Sequence, residues 1–190
     1  MPRKDVLSLG FTLQWIVATL AGFLLSLLLI EIGEKPDVGI IQAAIGVSAI
    51  ASFQSLILRQ RIFWFWWVFS TVFGWIVVTV SHIGALGWIV QTNPFFVLRV
   101  VHGFIIAAIG GFVIGFFQWL AIRDSIKDAW RWIVVSCLSW AIAVPIGAII
   151  GMFLHNITRS FFGEVIGLFV TWLIFAIFTG MNAYEIFGKV

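Results

Sequence analysis

The sequence predicts an all-α membrane protein in which six transmembrane helices form a single bundle. The first observation is composition: the 190 residues are 62% hydrophobic and 10% charged, with a mean hydropathy of +1.14. A soluble domain is typically about 45–50% apolar and about one quarter charged. This composition excludes a soluble globular domain, a disordered chain and a disulfide-rich secreted module.

The second observation is the regular spacing of polar segments, which divide the apolar chain into six stretches. Each stretch is near the length of about 20 apolar residues that a bilayer-crossing helix needs. The predicted spans cover about residues 10–32, 38–58, 62–83, 99–122, 130–154 and 162–187. Together they account for residues 1–190 as one transmembrane domain, and the first span is predicted to be retained and not cleaved as a signal peptide.

The third observation is the distribution of Lys and Arg between alternate loops. One side carries Arg3, Lys4, Arg59, Arg61, Arg123, Lys127, Arg131 and Lys189, and the other carries Lys35, Arg99 and Arg159. The positive-inside rule therefore predicts that both termini lie on the cytoplasmic side of an inner, cytoplasmic or thylakoid membrane. No basic run is long enough to follow a phosphate backbone, so nucleic acid is not a predicted partner.

Most Trp residues lie near the predicted inner ends of the spans, where Trp commonly anchors a helix at the headgroup level. These residues are Trp15, Trp64, Trp66, Trp67, Trp119, Trp130 and Trp132. Trp88 is the corresponding residue predicted for the outer face. We therefore expect these indoles to lie at the membrane–water interfaces.

Two helix types recur along the chain. Span 2 ends with Phe53-Gln54 and Arg59, and span 4 repeats this ending at an offset of 64 with Phe117-Gln118 and Arg123. Spans 1, 3 and 5 share a Trp that is followed by small or hydroxyl residues four and seven positions later, starting at Trp15, Trp67 and Trp132. The pattern predicts internal parallel helix-hairpin repeats in which spans 6 and 1, 2 and 3, and 4 and 5 form a pseudo-threefold bundle.

The arrangement resembles a group of small multi-pass membrane proteins, common in cyanobacteria, with Gly-x-x-Gln-x-Leu-x-x-Arg repeats and Trp-rich helices. The resemblance rests on the endings of spans 2 and 4 and on the Trp helices that follow them. It implies the fold pattern and a photosynthetic-membrane setting. It implies no activity, because the group has none assigned.

The repeated small and polar residues are expected to hold the helices together. Small residues about one turn apart allow close backbone approach, and the predicted contact faces are Thr19/Gly22, Thr71/Gly74, Ser136/Ser139 and Gly39, Gly46, Gly103 and Gly110. A buried amide needs hydrogen-bond partners, and Thr71 and Ser136 are candidate partners for Gln54 and Gln118. In span 6, Thr171 is expected to take the place of the Gln.

Four residues are candidates for binding a ligand. His82, His102 and His155 are predicted at the outer ends of spans 3, 4 and 5, and Arg99 lies three residues before His102. A single His could ligate a tetrapyrrole, such as chlorophyll or haem, but the three are not spaced as a metal site. The simpler interpretation is that they are polar residues at the interface.

The sequence favours a non-enzymatic accessory or structural membrane protein. Its expected partners are the lipid bilayer and other membrane proteins or further copies of the chain. The motifs of serine hydrolases, zinc proteases and phosphate-binding loops are absent. The alternatives are a small channel or transporter with a path through the bundle centre, and a tetrapyrrole-binding subunit.

Overall fold

The computed structural model describes residues 2–30, 38–81, 83, 86–89 and 95–187, with side chains from residue 9 onward. These residues form six helices: α1 (Pro2–Leu29), α2 (Ile40–Leu58), α3 (Trp64–Val80), α4 (Phe96–Ile122), α5 (Arg131–Thr158) and α6 (Phe162–Phe187). The predicted spans correspond one to one with the helices. The largest difference is at α1, which begins in the polar N-terminal segment, several residues before the predicted span.

Five of the described helices are long and apolar enough to cross a membrane. The exception is α3, an apolar helix of 17 residues, which corresponds to a length of about 25 Å at 1.5 Å per residue. Since a hydrocarbon core is about 30 Å thick, α3 is slightly short for a complete crossing. The chain is therefore an all-α, multi-pass integral membrane protein.

The six helices form a closed ring. Each helix packs against the helix before it and the helix after it, and α1 also packs against α6. The three predicted pairs are all in contact, but so are α1 with α2, α3 with α4, and α5 with α6. Two ends of the ring can be distinguished: we call the end that carries Arg59, Arg123 and Arg131 the basic end, and the opposite one the outer end.

Glycine residues allow the closest helix contacts, which join α1 to α2, α4 to α5 and α5 to α6. A Cβ atom on Gly167 of α6 would lie 2.7 Å from Gly151 Cα on α5, and one on Gly115 of α4 would lie 3.1 Å from Ile133 Cα. Such distances require two backbones in direct contact. Helix α5 reaches these contacts without interruption, although Pro145 lies inside it.

Part of the predicted small-residue face is wrong. Gly39 precedes α2 with no atom within 4 Å of where its Cβ would be. Gly46 and Gly110 are buried, but each makes room for side chains of the helix connections and not for another helix backbone. Gly46 faces Ile30 and Trp88, and Gly110 faces Leu86 and Ile83. Gly22 and Gly74 do face helix backbones, at Ile50 and Ile114 respectively.

Candidate functional site

Aromatic rings fill the centre of the ring near its basic end. The indoles of Trp15, Trp67 and Trp132, on α1, α3 and α5, meet edge to face with centroids 5.6–6.1 Å apart. Phe187 of α6 contacts all three. Each such aromatic pair contributes about 0.5–1.5 kcal/mol beyond the burial of its surface. This layer closes the centre of the bundle at that level.

A second aromatic layer lies closer to the outer end. Trp140 contacts Trp75 at 5.6 Å, Trp172 at 5.0 Å and Phe175 at 4.4 Å between ring centroids. Phe23 of α1 stacks on Trp172 at 5.4 Å. Helices α1, α3, α5 and α6 all contribute rings to this layer, so it links opposite sides of the bundle.

Residues 86–89, in the connection between α3 and α4, enter the centre of the bundle. Trp88 is fully buried, with its ring centroid 4.8 Å from that of Trp75. Its indole N–H donates to Ser26 Oγ at 2.9 Å, and the indole N–H of Trp172 donates to Gly87 O at 3.0 Å. Gly87 has φ +82°, a left-handed conformation that glycine adopts without strain. The segment therefore closes the outer half of the ring.

These positions overturn part of the prediction that Trp residues are interfacial anchors. Trp64, Trp66 and Trp130 are more than half exposed, as anchors should be. Trp15, Trp67, Trp88 and Trp132 are at most 1% exposed and form the core. Position along a helix indicates depth in the membrane, but it does not indicate whether a side chain points outward or inward.

Two buried amides bridge neighbouring helices. Gln54 of α2 donates from Nε2 to Thr19 Oγ1 of α1 at 3.1 Å, and Gln118 of α4 donates to Thr71 Oγ1 of α3 at 3.1 Å. Gln118 Oε1 also accepts from Trp132 Nε1 of α5 at 2.8 Å. Gln118 thus joins three helices, whereas Gln54 joins two.

The partners differ from the expected ones in two places. Gln54 pairs with Thr19 of the preceding helix, and Ser136 Oγ has no hydrogen-bond partner among the described residues. In α6, Thr171 bonds only within its own helix, to Gly167 O. Thr179 makes the contact between helices instead, because its hydroxyl accepts from Trp15 Nε1 at 3.0 Å.

A buried ion pair lies at the outer end, between α4 and α6. Arg99 Nη2 donates to Glu164 Oε2 at 2.8 Å, and the two side chains are only 7% and 9% exposed. Arg99, a candidate ligand-binding residue in the sequence, is therefore paired with Glu164 and largely hidden from the surface. Desolvation offsets much of the attraction within such a pair, but removal of one partner leaves an uncompensated buried charge.

A small cavity of about 30 Å³ adjoins this ion pair. Its lining combines Arg99 and Glu164 with Gly87 and with α5 and α6 residues that include Gly147 and Thr171. Arg99 Nε is buried and has no hydrogen-bond partner among the described residues. The cavity is large enough for a water-sized molecule and too small for an organic ligand.

The histidines are not brought together. His102 is exposed on α4, and His155 is half-buried in the last turn of α5, where its Nδ1 has no hydrogen-bond partner among the described residues. Neither lines the cavity beside Arg99. His82 lies outside the described residues, and within them no group of three His, Cys, Asp or Glu side chains could hold a metal ion.

Three features of the centre escaped sequence reasoning: Glu164 as the partner of Arg99, Thr179 as the partner of Trp15, and the buried segment around Trp88. The first had a weak signal in the sequence, since Arg99 and Glu164 carry opposite charges and each lies in the first turn of a helix that starts at the outer end. The other two depend on long-range packing that leaves no local pattern.

Comparisons with protein-family models, with curated proteins and with solved structures found no match to this chain.

Proposed function

We propose that this protein is a non-enzymatic membrane component that acts by lateral contact with other membrane proteins, or with further copies of itself. The observation that carries the proposal is the aromatic filling of the ring at two levels, together with the buried Trp88 segment. A bundle filled in this way offers its outer surface, and not its centre, for interaction.

The outer surface supports this proposal. Large apolar side chains are exposed along all six helices, including Leu28 of α1, Ile41 of α2 and Phe153 of α5. The described chain has little mass outside the helices. A protein of this shape meets other molecules mainly within the plane of the bilayer.

The packed centre favours this function over a channel or transporter, for which a polar path through the bundle was the expectation. Apart from Ser136, whose hydroxyl has no partner among the described residues, the hydroxyl and amide groups expected along such a path bond between neighbouring helices or to their own helix backbones: these are Thr19, Gln54, Thr71, Gln118 and Thr179. A tetrapyrrole-binding role has less support, because neither His102 nor His155 lines the cavity beside Arg99 or the larger surface grooves.

We also propose that the chain is a pseudo-threefold assembly of repeated helix pairs. The offsets of 64 between α2 and α4 and of 52 between α1 and α3 map Gln54 onto Gln118 and Thr19 onto Thr71. The two hydrogen bonds are the same length, and Trp15, Trp67 and Trp132 meet at one point. These correspondences support a common origin for the helix pairs.

We further propose that the basic end faces the cytoplasm, as its excess of Lys and Arg predicts. Replacement of the single Cys137 allows Ser125→Cys at the basic end and Ser160→Cys at the outer end to be tested separately. In right-side-out vesicles, an impermeant maleimide should label only Ser160→Cys. Labelling of only Ser125→Cys would reverse the orientation.

Site-specific photocrosslinking tests the lateral-contact proposal. A benzophenone amino acid is placed in turn at the lipid-facing Phe104 and Phe112 of α4, Leu28 of α1 and Phe153 of α5, and native membranes are irradiated. We expect one membrane protein, or a second copy, to be captured reproducibly from one face only. Capture of lipid alone from all four positions would contradict the proposal.

A further inference from the structure

The lipid-facing surface of the ring carries a groove between α3 and α4, close to the basic end. The groove has a volume of about 770 Å³ and is lined by Phe69 and Phe73 of α3 and by Phe117, Leu120 and Ala121 of α4. Asp124 and Ser125, in the turn after α4, line its mouth. It therefore combines an apolar body with a polar opening.

A ladder of three phenyl rings runs along α3, and two of them, Phe69 and Phe73, line the groove. Phe65 stacks on Phe69 and Phe69 on Phe73, with centroids 6.2 Å apart and interplanar angles of 15° and 18°. Phe117 of α4 meets Phe73 edge on at 5.1 Å. Each ladder ring is about half exposed, so the ladder presents a flat apolar surface outward.

The depth of the groove matches one leaflet. Its lining extends from Phe63, the residue before α3, to Phe73 within α3, which is about 15 Å along the helix axis. This is about half the thickness of a hydrocarbon core of about 30 Å. An acyl chain that enters beside the phenyl ladder would therefore place its headgroup at the level of Asp124.

Asp124 lines the mouth, and Arg123, which is not itself a lining residue, lies beside Asp124. Asp124 and Arg123 are adjacent, with 3.7 Å between Arg123 Nε and Asp124 Oδ1, and their side chains are 88% and 50% exposed. The Arg123 guanidinium also lies 5.6 Å over the ring of Trp119. An exposed pair of this kind interacts weakly, so both charges stay available to a ligand.

We propose that the α3–α4 groove binds one phospholipid with a primary-amine headgroup, such as phosphatidylethanolamine. The acyl chain lies against the phenyl ladder, Arg123 receives the phosphate, and Asp124 accepts a hydrogen bond from the ammonium. A glycerol headgroup carries the same phosphate but no positive charge to pair with Asp124. A quaternary ammonium has no hydrogen to donate.

The chain contains a matched control groove between α1 and α2. It has about half the volume, 390 Å³, and its lining includes Val17, Ala21, Phe53, Leu56 and Ile57. At the offsets of 52 and 64 these align with Phe69, Phe73, Phe117, Leu120 and Ala121. The control groove lacks the phenyl ladder, and no charged residue is among its described lining residues.

Native mass spectrometry of the purified full chain tests the site with equal amounts of phosphatidylethanolamine, phosphatidylcholine and phosphatidylglycerol. We expect one tightly held phosphatidylethanolamine. Ala121→Phe fills the groove and should weaken its binding by about tenfold, equivalent to about 1.4 kcal/mol. Ile57→Phe, at the aligned position of the control groove, should leave binding unchanged.

Asp124→Asn still tests the proposal if Ala121→Phe does not fold, because residue 124 is exposed and its substitution should not disturb folding. It should remove the preference for phosphatidylethanolamine while leaving total lipid binding similar. Arg123→Gln should weaken all three lipids, whereas Arg59→Gln at the aligned position of α2 should not. An equal affinity of wild type for all three lipids, or equal losses in Ala121→Phe and Ile57→Phe, would overturn the proposal.

A photocrosslinker identifies the occupant in native membranes. With benzophenone at position 69, we expect the intact protein to gain the mass of one phospholipid. Capture of a second copy or of another protein at this position would overturn the lipid site. It would leave the proposal of lateral contact standing, so the two proposals can fail separately.

Discussion

At the scale of single residues, the polar groups between helices are unequal in importance although they repeat in sequence. Gln118 accepts from Trp132 and donates to Thr71, whereas among the described residues Gln54 bonds only to Thr19. Hydrogen bonds between membrane helices contribute about 0.6–2 kcal/mol each. The difference is therefore large enough to measure.

We expect Gln118→Leu to lower the free energy of unfolding by about 1–3 kcal/mol, and by more than Gln54→Leu. The larger effect follows because Gln118→Leu also leaves the indole N–H of Trp132 buried without a partner. Reversible unfolding in mixed micelles measures both. Gln14→Leu, at an exposed position of α1, is the control, and a larger loss in Gln54→Leu would refute the assignment.

The ion pair between Arg99 and Glu164 gives the second prediction at this scale. Arg99→Met alone and Glu164→Leu alone should each cost about 3–5 kcal/mol, because each leaves the other charge buried. The double variant should cost clearly less than the sum of the two. A double-mutant cycle measures this coupling.

The chain provides its own control for that cycle. Arg131 and Glu185 form an ion pair at 3.5 Å, but both side chains are about half exposed. Exposed pairs contribute about 0–1 kcal/mol, so Arg131→Met and Glu185→Leu should be nearly additive. Additive losses of stability at Arg99 and Glu164 would mean that the two side chains are not paired and buried within the bundle.

At the scale of elements, the positions of the helices could be predicted from the sequence far better than their faces. Polar segments end each helix, and this signal gave α6 its exact bounds and most other ends to within about four residues. The inward face could not be predicted in the same way, since lipid is as apolar as the core and both sides of a helix are hydrophobic.

The candidate site shows the same limit. The sequence identified Gln54, Gln118, Thr19 and Thr71 as polar groups that needed partners, but it did not fix which helix supplied each partner. The burial of Trp15 and Trp132 depends on ring closure by α6, which is a long-range contact. Trp88 is predicted for the outer interface because Trp commonly lies at the headgroup level, and nothing local in the sequence shows that its segment folds back into the bundle.

The tight contact between α5 and α6 gives a prediction at the scale of elements. Gly167→Ala should lower the free energy of unfolding by about 1–3 kcal/mol, because the added methyl group meets the backbone of α5. Gly10→Ala is the matched control in α1, where no atom lies within 4 Å of the added Cβ. Equal stability of the two variants would show that the helices are further apart.

The buried segment around Trp88, between α3 and α4, gives a second prediction at this scale. Trp88→Ala removes the contacts with Trp75 and Trp172 and the hydrogen bond to Ser26, and it should cost about 3–5 kcal/mol. Hydrogen exchange in residues 86–89 should rise with it. Trp130→Ala, at an exposed indole, should change neither quantity, and unchanged exchange in Trp88→Ala would contradict the burial of the segment.

At the scale of the whole molecule, the ring acts as one closed unit. The two aromatic layers and the Trp88 segment join helices that are not neighbours in the ring, so local changes at the centre should affect all six helices. The lipid-facing surface takes no part in this central packing. It can therefore contact lipid, hold a ligand in the α3–α4 groove or contact other proteins. The central claim is that no aqueous path crosses this centre.

The most direct measurement is cysteine labelling at two depths of the centre, with Cys137 first replaced by Ser. Ser26→Cys lies beside Trp88, and Ser136→Cys lies between α4 and α5; both positions are fully buried. Exposed Ser125→Cys and Ser160→Cys are the positive controls. In permeabilised vesicles, a charged thiosulfonate should label the controls within minutes and leave the two central positions unmodified. Labelling of Ser26→Cys and Ser136→Cys at rates close to the controls would establish an aqueous path and contradict the account.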